Sequence, residues 1–289
     1  MPKTIDGIIR EVNKSNFASI RGIITGIFDI LNNAKSSVND LEKIIRLDPP
    51  LAVKVLKVAN SAFYASRVEF KDLKEAVLWI GFDEIKNIAI TEQLFKVFNA
   101  LENSSFSRKD LWKNSVATAL LSKMIYRREF GEKGENIYTA GLIHNIGIII
   151  MDQFLNEEFN KILTISEEEE IDHCSAENKV LEFKHTDIVT ALGKDWNFPD
   201  ELIETVKYHH SPEDAQPEFT KQAETLLISD HFCKKWQLGF SDTCILSDDI
   251  IIEEILNKNS IESESMELMH SDLIEQISHL ENIGLLSNG

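Results

Sequence analysis

Four histidines and one aspartate stand in mostly apolar stretches where a site for chemistry could form. They are His144, inside the run AGLIHNIGIII, and His185, His209, His210 and Asp230. A neutral imidazole offers a nitrogen lone pair, which makes histidine a common ligand of zinc, iron and manganese ions. The adjacent His-His pair with a third histidine upstream therefore predicts either a metal site or a set of hydrogen-bonded core residues.

The aspartate is expected to be buried. On a helix, Asp230 shares one face with Ala223, Leu226, Leu227 and Cys233. An unpaired carboxylate in such a place is costly, so it needs a histidine or a metal ion beside it, and His144 is the candidate. His209 continues the apolar face of its own helix, whereas His210 lies about 100° further round, so both rings can approach one point only near the helix end.

Composition and charge restrict the class of protein. The net charge is −18 and no cluster of lysine and arginine forms a basic stripe, so direct nucleic-acid binding is not expected. The start of the chain lacks a secretion signal, and no apolar run approaches the ~18–20 residues that span a bilayer. The three cysteines contain no CxxC pair, which predicts neither a disulfide framework nor a thiolate zinc site and favours the reducing cytoplasm.

Apolar residues recur at helical spacing, which predicts an all-α protein. In LDPPLAVKVLKVANSAFY, Asp48 can cap a helix whose first turn holds the prolines, and one face carries Leu51, Val55, Val58 and Ala62. A second helix is predicted from Asp72 to Ile80, ending at Gly81, and a third from there to about Phe98.

The second half of the chain continues the helical pattern. The polar stretch NALENSSFSRKD is predicted to connect two lobes. Further helices are predicted over Leu111–Arg128, over Asn136–Leu155 as one continuous helix, from Pro199 through the segment ending in the two histidines, and over Phe219–Lys235. The tail is predicted to hold two or three helices around a flexible connection.

Several motifs in sequence order resemble a known superfamily. The segments LWKNSVATALLSKMI, AGLIHNIG, EFKHTDIVTALGKDWNFPDELIETVKYHH and LLISDHF resemble the HD phosphohydrolases. Together with the upstream DPPLAVKVLKVANSAFY and EAVLWIGFDEI, they resemble the HDOD branch, the HD-related output domain of bacterial signalling. The match runs from about Ser15 to Trp236. It implies a two-lobed helical bundle with an N-terminal helical lobe over 15–110, an HD-like lobe over 111–236, and a helical extension over 237–289.

The resemblance also assigns ligand positions. In a catalytic HD enzyme, a histidine, an adjacent His-Asp pair and a distant aspartate hold the metal that activates water against a phosphoester. Here those positions read Asn114, His144-Asn145 and Asp230, so two of the four ligands are replaced by amides, which are poor ligands for transition metals. His185, His209 and His210 match the second cluster of the HD-GYP phosphodiesterases and could hold a single iron, manganese or zinc ion. The glycine, tyrosine and proline that follow the paired histidines in those enzymes are missing.

Three functions follow as alternatives. The resemblance implies a non-catalytic output or adaptor module that contacts other signalling proteins, with no resident cofactor and no catalytic residue. In that case we expect His144 and Asp230 to share a charge-assisted hydrogen bond, with Asn114 and Asn145 in the same neutral network. The rival is a metal-dependent phosphohydrolase, acting on a cyclic dinucleotide or nucleotide through the residual histidines. A third is a site that binds a nucleotide without cleaving it, with Lys184, Lys194 or Lys207 as its cations.

Overall fold

A computed structural model describes residues 4–15, 17–31, 36–66, 69–98, 106–239 and 248–286. Regular structure in these ranges consists of α-helices and two short 3-10 turns, with no β-strand. The predicted all-α class is therefore confirmed. No helix in these ranges is both long and apolar enough to cross a bilayer.

Six helices form the N-terminal half. They are α1 (Ile5–Val12), α2 (Phe17–Leu31), α3 (Val38–Arg46), α4 (Pro49–Ala59), α5 (Leu73–Ile80) and α6 (Phe82–Phe98). The long helix α6 packs against α2, α3, α4 and α5. Since α6 is buried along most of its length, it is the centre of this half of the molecule.

The start of α4 follows the sequence prediction. The Asp48 side chain caps the helix by accepting a hydrogen bond from the Leu51 amide at 3.3 Å, and prolines occupy the first two helical positions. Proline is tolerated there because the amide that it lacks has no partner within the helix. Leu51, Val55 and Val58 are buried, so the predicted apolar face lies in the core.

The predicted end of α4 was wrong. The helix ends at Ala59, and Ala62 is exposed in a 3-10 turn instead of continuing the buried face. The physical reason is Asn60, whose side-chain amide accepts a hydrogen bond from the Phe70 amide at 2.7 Å and donates one to the Phe70 carbonyl at 2.9 Å. This pairing turns the chain back on itself and favours a loop over another helical turn.

The next two helices have the predicted bounds. Asp72 caps α5 by accepting hydrogen bonds from the amides of Lys74 and Glu75. Gly81 ends it with a φ of 99°, a conformation that favours glycine, and α6 follows directly. Most of the predicted connection NALENSSFSRKD, residues 99–105, lies outside the described residues.

Eight helices form the HD-like half. They are α7 (Arg108–Arg128), α8 (Glu135–Ile143), α9 (Ile146–Phe154), α10 (Asn156–Glu169), α11 (His173–Val180), α12 (His185–Asp195), α13 (Asp200–Lys207) and α14 (Thr220–Lys235). The central helix α7 packs against both α8 and α14. It is buried from Leu111 to Tyr126 almost without interruption, and it also contacts α6 of the N-terminal half.

The continuous helix predicted over Asn136–Leu155 was wrong. It is broken at His144 and Asn145 into α8 and α9. The His144 ring bonds through Nδ1 to the Gly141 carbonyl at 2.7 Å, which is the acceptor that a continuous helix would offer to the Asn145 amide. The break lets α9 begin against α12, where a Cβ built on Gly147 would lie 2.2 Å from the His185 carbonyl oxygen.

The tail contains two described helices, α15 (Asp249–Lys258) and α16 (Ser263–Asn282). Helix α15 packs on α14, and α16 packs on α7. The chain after α16 reaches both halves of the molecule: Trp112 Nε1 donates to the Leu285 carbonyl at 3.2 Å, and Lys54 Nζ donates to the Gly284 carbonyl at 2.6 Å. The extension predicted for residues 237–289 is therefore packed onto the bundle wherever it is described.

Candidate functional site

His144 lies at the break between α8 and α9 and is fully buried. With Nδ1 bonded to the Gly141 carbonyl, Nε2 is the ring nitrogen that faces Asp230, and the distance to Asp230 Oδ1 is 3.6 Å. That is longer than a hydrogen bond, and neither atom has a hydrogen-bond partner. The predicted direct hydrogen bond between His144 and Asp230 was therefore wrong, although the two groups are neighbours.

The partner of Asp230 is a lysine that the sequence analysis did not consider. Lys234, one turn further along α14, places Nζ 2.6 Å from Asp230 Oδ2. Burial by itself raises the pKa of Asp230, but the Lys234 ammonium and the His144 ring outweigh burial and hold the pKa well below its usual range. The carboxylate is consequently ionised, and its negative charge is balanced by an ammonium group.

His185 begins α12 and is held from behind by Glu177 of α11. The Glu177 carboxylate accepts hydrogen bonds from the His185 backbone amide at 3.1 Å and from Nδ1 at 2.9 Å. His185 is 1% exposed, and burial lowers its pKa to about 3, while burial raises the pKa of Glu177 to about 7. The ring is neutral, with Nε2 buried and without a hydrogen-bond partner.

The paired histidines follow the end of α13. His209 is fully buried and donates from Nδ1 to the Val206 carbonyl at 2.7 Å, which leaves Nε2 without a partner, whereas His210 is exposed. The ring centroid of His209 lies 5.1 Å from the ring centroid of His144, 5.6 Å from that of His185 and 3.9 Å from that of His210. The structure thus brings together all four histidines that the sequence singled out.

One cysteine joins this group. One ligand atom from each of Cys174, His185 and His210 lies within 4.8 Å of the others, and Cys174 is 9% exposed on α11. Sequence reasoning set the cysteines aside because no CxxC pair is present. The signal in the sequence was the pattern HCSAE, residues 173–177, shortly before His185. On a helix this pattern places Cys174 and Glu177 one turn apart.

Asn114 and Asn145 are both buried, at 2% and 4% exposure. Both atoms of the Asn114 side-chain amide, on α7, lack a hydrogen-bond partner, so the predicted neutral network through Asn114 was wrong. Asn145 precedes α9 without capping it through its side chain. Of the three lysines predicted as phosphate ligands, Lys207 donates a hydrogen bond to the Tyr208 hydroxyl at 2.7 Å.

The residues present do not fit the binuclear metal centre that the HD resemblance implies. Two carboxylate or imidazole ligands are replaced by the amides of Asn114 and Asn145, so no bridging carboxylate remains at position 145. The remaining carboxylate, Asp230, has its charge compensated by Lys234. The Nε2 atoms of His144, His185 and His209 are buried around this point and have no hydrogen-bond partner.

Comparison with known proteins gives one relative in sequence and several in structure. A Treponema pallidum (strain Nichols) protein described as uncharacterized is 24% identical over 201 residues, which are 69% of this chain and 38% of that protein. This chain thus spans well under half the length of that relative.

The solved structures share the fold. An HDOD domain protein of unknown function from Geobacter sulfurreducens has a TM-score of 0.76 and 22% identity, covering 92% of this chain and 91% of that chain. A Shewanella amazonensis SB2B protein named provisionally as a phosphohydrolase has a TM-score of 0.66 and 21% identity over the same shares. A family model for the HDOD domain matches residues 17–212. The chain therefore belongs to the HDOD domain family.

Proposed function

We propose that the protein is a non-catalytic signalling module that relays a stimulus through contacts with other proteins. The observation that carries this proposal is the ion pair between Lys234 Nζ and Asp230 Oδ2, 2.6 Å apart. In an HD hydrolase the equivalent aspartate holds a divalent cation. An ammonium group balances the same carboxylate but cannot act as a Lewis acid or lower the pKa of a bound water as a metal does.

The two amides support the same conclusion. A binuclear site needs a carboxylate that bridges the ions, and an amide at position 145 supplies no negative charge for that role. Asn114 removes a further imidazole from the position opposite. Replacing both groups weakens the affinity for a catalytic ion, whereas a protein that works by contact loses nothing through either change.

Burial also argues against turnover. His144, His209 and Asp230 are exposed by 0%, 0% and 3%. A phosphoester has to reach the metal-bound water directly, and these three side chains are enclosed in the packed interior. His144, His209 and Asp230 therefore act as part of the core of the HD-like half, whereas His210 is exposed.

Exposed apolar groups near the end of α5 support a role in protein contacts. Leu78 and Trp79, at the end of α5, are 64% and 52% exposed, and Phe63 nearby is 54% exposed. Between α5–α6, α7–α8 and α16 lies a groove of about 550 Å³ that Phe63 also lines. Exposed apolar groups beside a groove are typical of protein interaction sites.

The rival function is a metal-dependent phosphohydrolase, and one observation favours it. The Nε2 atoms of His144, His185 and His209 are buried and have no hydrogen-bond partner, as expected of a histidine site that binds an ion. This function would require Lys234 to leave Asp230 when the metal binds.

A hydrolysis assay decides between the two functions. The chelator-treated chain is supplied with Mn²⁺ or Fe²⁺ and incubated with a cyclic dinucleotide and with a chromogenic phosphodiester, beside the Asp230→Asn variant. We expect equal background rates in both proteins, with and without metal. Metal-dependent turnover by the wild type that disappears in Asp230→Asn would overturn the proposal in favour of the hydrolase.

A further inference from the structure

We propose that Cys174, His185 and His210 bind one divalent transition-metal ion of the zinc type through one sulfur and two nitrogen atoms. The ligand atoms of these residues lie within 4.8 Å of one another. This set differs from the histidine-only cluster of the HD-GYP resemblance, because a thiolate takes the place of the His209 ring. It is also separate from the Asp230 position, whose charge is already balanced by Lys234.

The spacing suits a tetrahedral ion. Zinc bonds of about 2.0–2.1 Å to nitrogen and about 2.3 Å to sulfur place neighbouring ligand atoms roughly 3.5 Å apart. The three groups must therefore approach each other by about 1 Å. His210 can make most of that movement, since it follows the end of α13 and its side chain is exposed, and small rotations of the buried Cys174 and His185 side chains supply the rest.

His185 is prepared for such a role by Glu177. The carboxylate takes the Nδ1 hydrogen at 2.9 Å and the backbone amide at 3.1 Å, which fixes the tautomer and the orientation of the ring. Nε2 of this ring, 1% exposed, is buried without a hydrogen-bond partner, so its lone pair is available to a ligand. A carboxylate behind a histidine is the usual outer support of a metal-binding imidazole.

The chemistry favours a borderline ion over magnesium or calcium. Sulfur and imidazole nitrogen are preferred by zinc and related transition metals, whereas hard cations require oxygen ligands. On binding, the Cys174 thiol forms the bond from sulfur to the metal and releases its proton to solvent. Three protein ligands leave a fourth position, which opens to water on the side of the exposed His210.

Cobalt(II) provides a spectroscopic test on the full chain, independent of any hydrolytic activity. The chelator-treated protein is titrated with Co²⁺ and monitored for the near-ultraviolet charge-transfer band that only a thiolate ligand produces. We expect a band that saturates at one ion per chain and is lost in Cys174→Ser. Cys233→Ser is the matched control, because Cys233 is also free and buried, and it should keep the band.

Three further variants distinguish this site from the alternative site formed by three histidines, His185, His209 and His210. His210→Ala should remove the band, Glu177→Gln should weaken Co²⁺ affinity by about 10–100-fold, and His209→Ala should keep the band. The absence of the charge-transfer band in folded wild-type protein would overturn the proposal. So would Co²⁺ binding that produces no thiolate band and is abolished by His209→Ala. If Cys174→Ser does not fold, X-ray absorption of the zinc-loaded wild type decides, since the proposal requires one sulfur neighbour. Failure here leaves the non-catalytic function untouched, because that function requires no metal.

Discussion

Lys234 Nζ lies 2.6 Å from Asp230 Oδ2, and the two residues are one helical turn apart on α14. The two side chains are 14% and 4% exposed, so the pair is largely withdrawn from water. A positive side chain in this place balances the charge of the buried carboxylate.

Removal of the ammonium tests the strength of this pair. In Lys234→Met, Asp230 is left as an uncompensated buried charge, and we expect the free energy of unfolding to fall by about 3–5 kcal/mol. Lys235→Met is the control, because Lys235 pairs with Asp249 at the surface. Its loss should lower the free energy of unfolding by less than about 1 kcal/mol. Urea denaturation at neutral pH measures both. Equal losses in the two variants would contradict the assigned role of Lys234.

The contact between α9 and α12 is expected to tolerate no added side chain. A Cβ at position 147 would lie 2.2 Å from the His185 carbonyl oxygen, so Gly147→Ala must push the start of α12 away and should destabilise the fold by about 1–3 kcal/mol. Gly22→Ala on α2 is the control, since nothing lies within 4 Å of a Cβ there. It should be neutral or stabilising by up to about 1 kcal/mol. Thermal unfolding of both variants checks the difference, and an unaffected Gly147→Ala would contradict the close packing.

Two buried histidines, His185 and His209, and the largely enclosed His173 predict a loss of stability in acid. Burial lowers the folded-state pKa to about 4 for His173 and about 3 for His185, and it lowers the pKa of His209 well below the usual range. In the unfolded chain these rings bind protons below pH ~6.5. Glu177 acts in the opposite direction, because burial raises its pKa to about 7 and the folded state then holds the proton more tightly.

Because three histidines outweigh the single glutamate, the unfolded chain binds more protons than the folded chain between pH ~6.5 and ~4. The free energy of unfolding should therefore fall as the pH drops through this window, by about 1.4 kcal/mol per pH unit for each net proton. Urea denaturation at about pH 7 and about pH 5 measures the slope. Stability that stays constant or rises toward pH 5 would show that these rings are already charged in the folded protein.

The end of the chain is expected to depend on Trp112. In Trp112→Phe the Leu285 carbonyl loses its hydrogen-bond partner in the interior, at a cost of about 1–3 kcal/mol. Hydrogen exchange should then show faster exchange at residues 280–286, with Trp79→Phe as the exposed control. Unchanged protection of the tail in Trp112→Phe would show that its other contacts suffice to hold it.

The sequence allowed much of the fold to be predicted, because local signals determine helix ends. Asp48 and the prolines fixed the start of α4, and Asp72 with Gly81 fixed both ends of α5. The same periodicity could not reveal the break at His144, since a side chain that competes for one backbone carbonyl leaves no trace in the apolar pattern. The boundaries of the two lobes at residues 110 and 236 remain predictions.

The candidate site was predicted less completely, because its contacts come from distant parts of the chain. The four histidines and Asp230 were identified by residue type and by the HD resemblance, and the fold brings them together. Lys234 and Cys174 were missed, since a lysine near the end of a helix and a single cysteine are ordinary at the sequence level. Only the fold brings Cys174 near His185 and His210, and places the Lys234 ammonium beside Asp230.

The most direct test of the central claim is a crystal structure of the protein soaked with Mn²⁺, with anomalous scattering recorded for manganese. We expect no manganese peak at bonding distance from Asp230 Oδ1, with Lys234 Nζ still paired to Oδ2. A manganese ion held by His144 Nε2 and Asp230, with the lysine displaced, would contradict it.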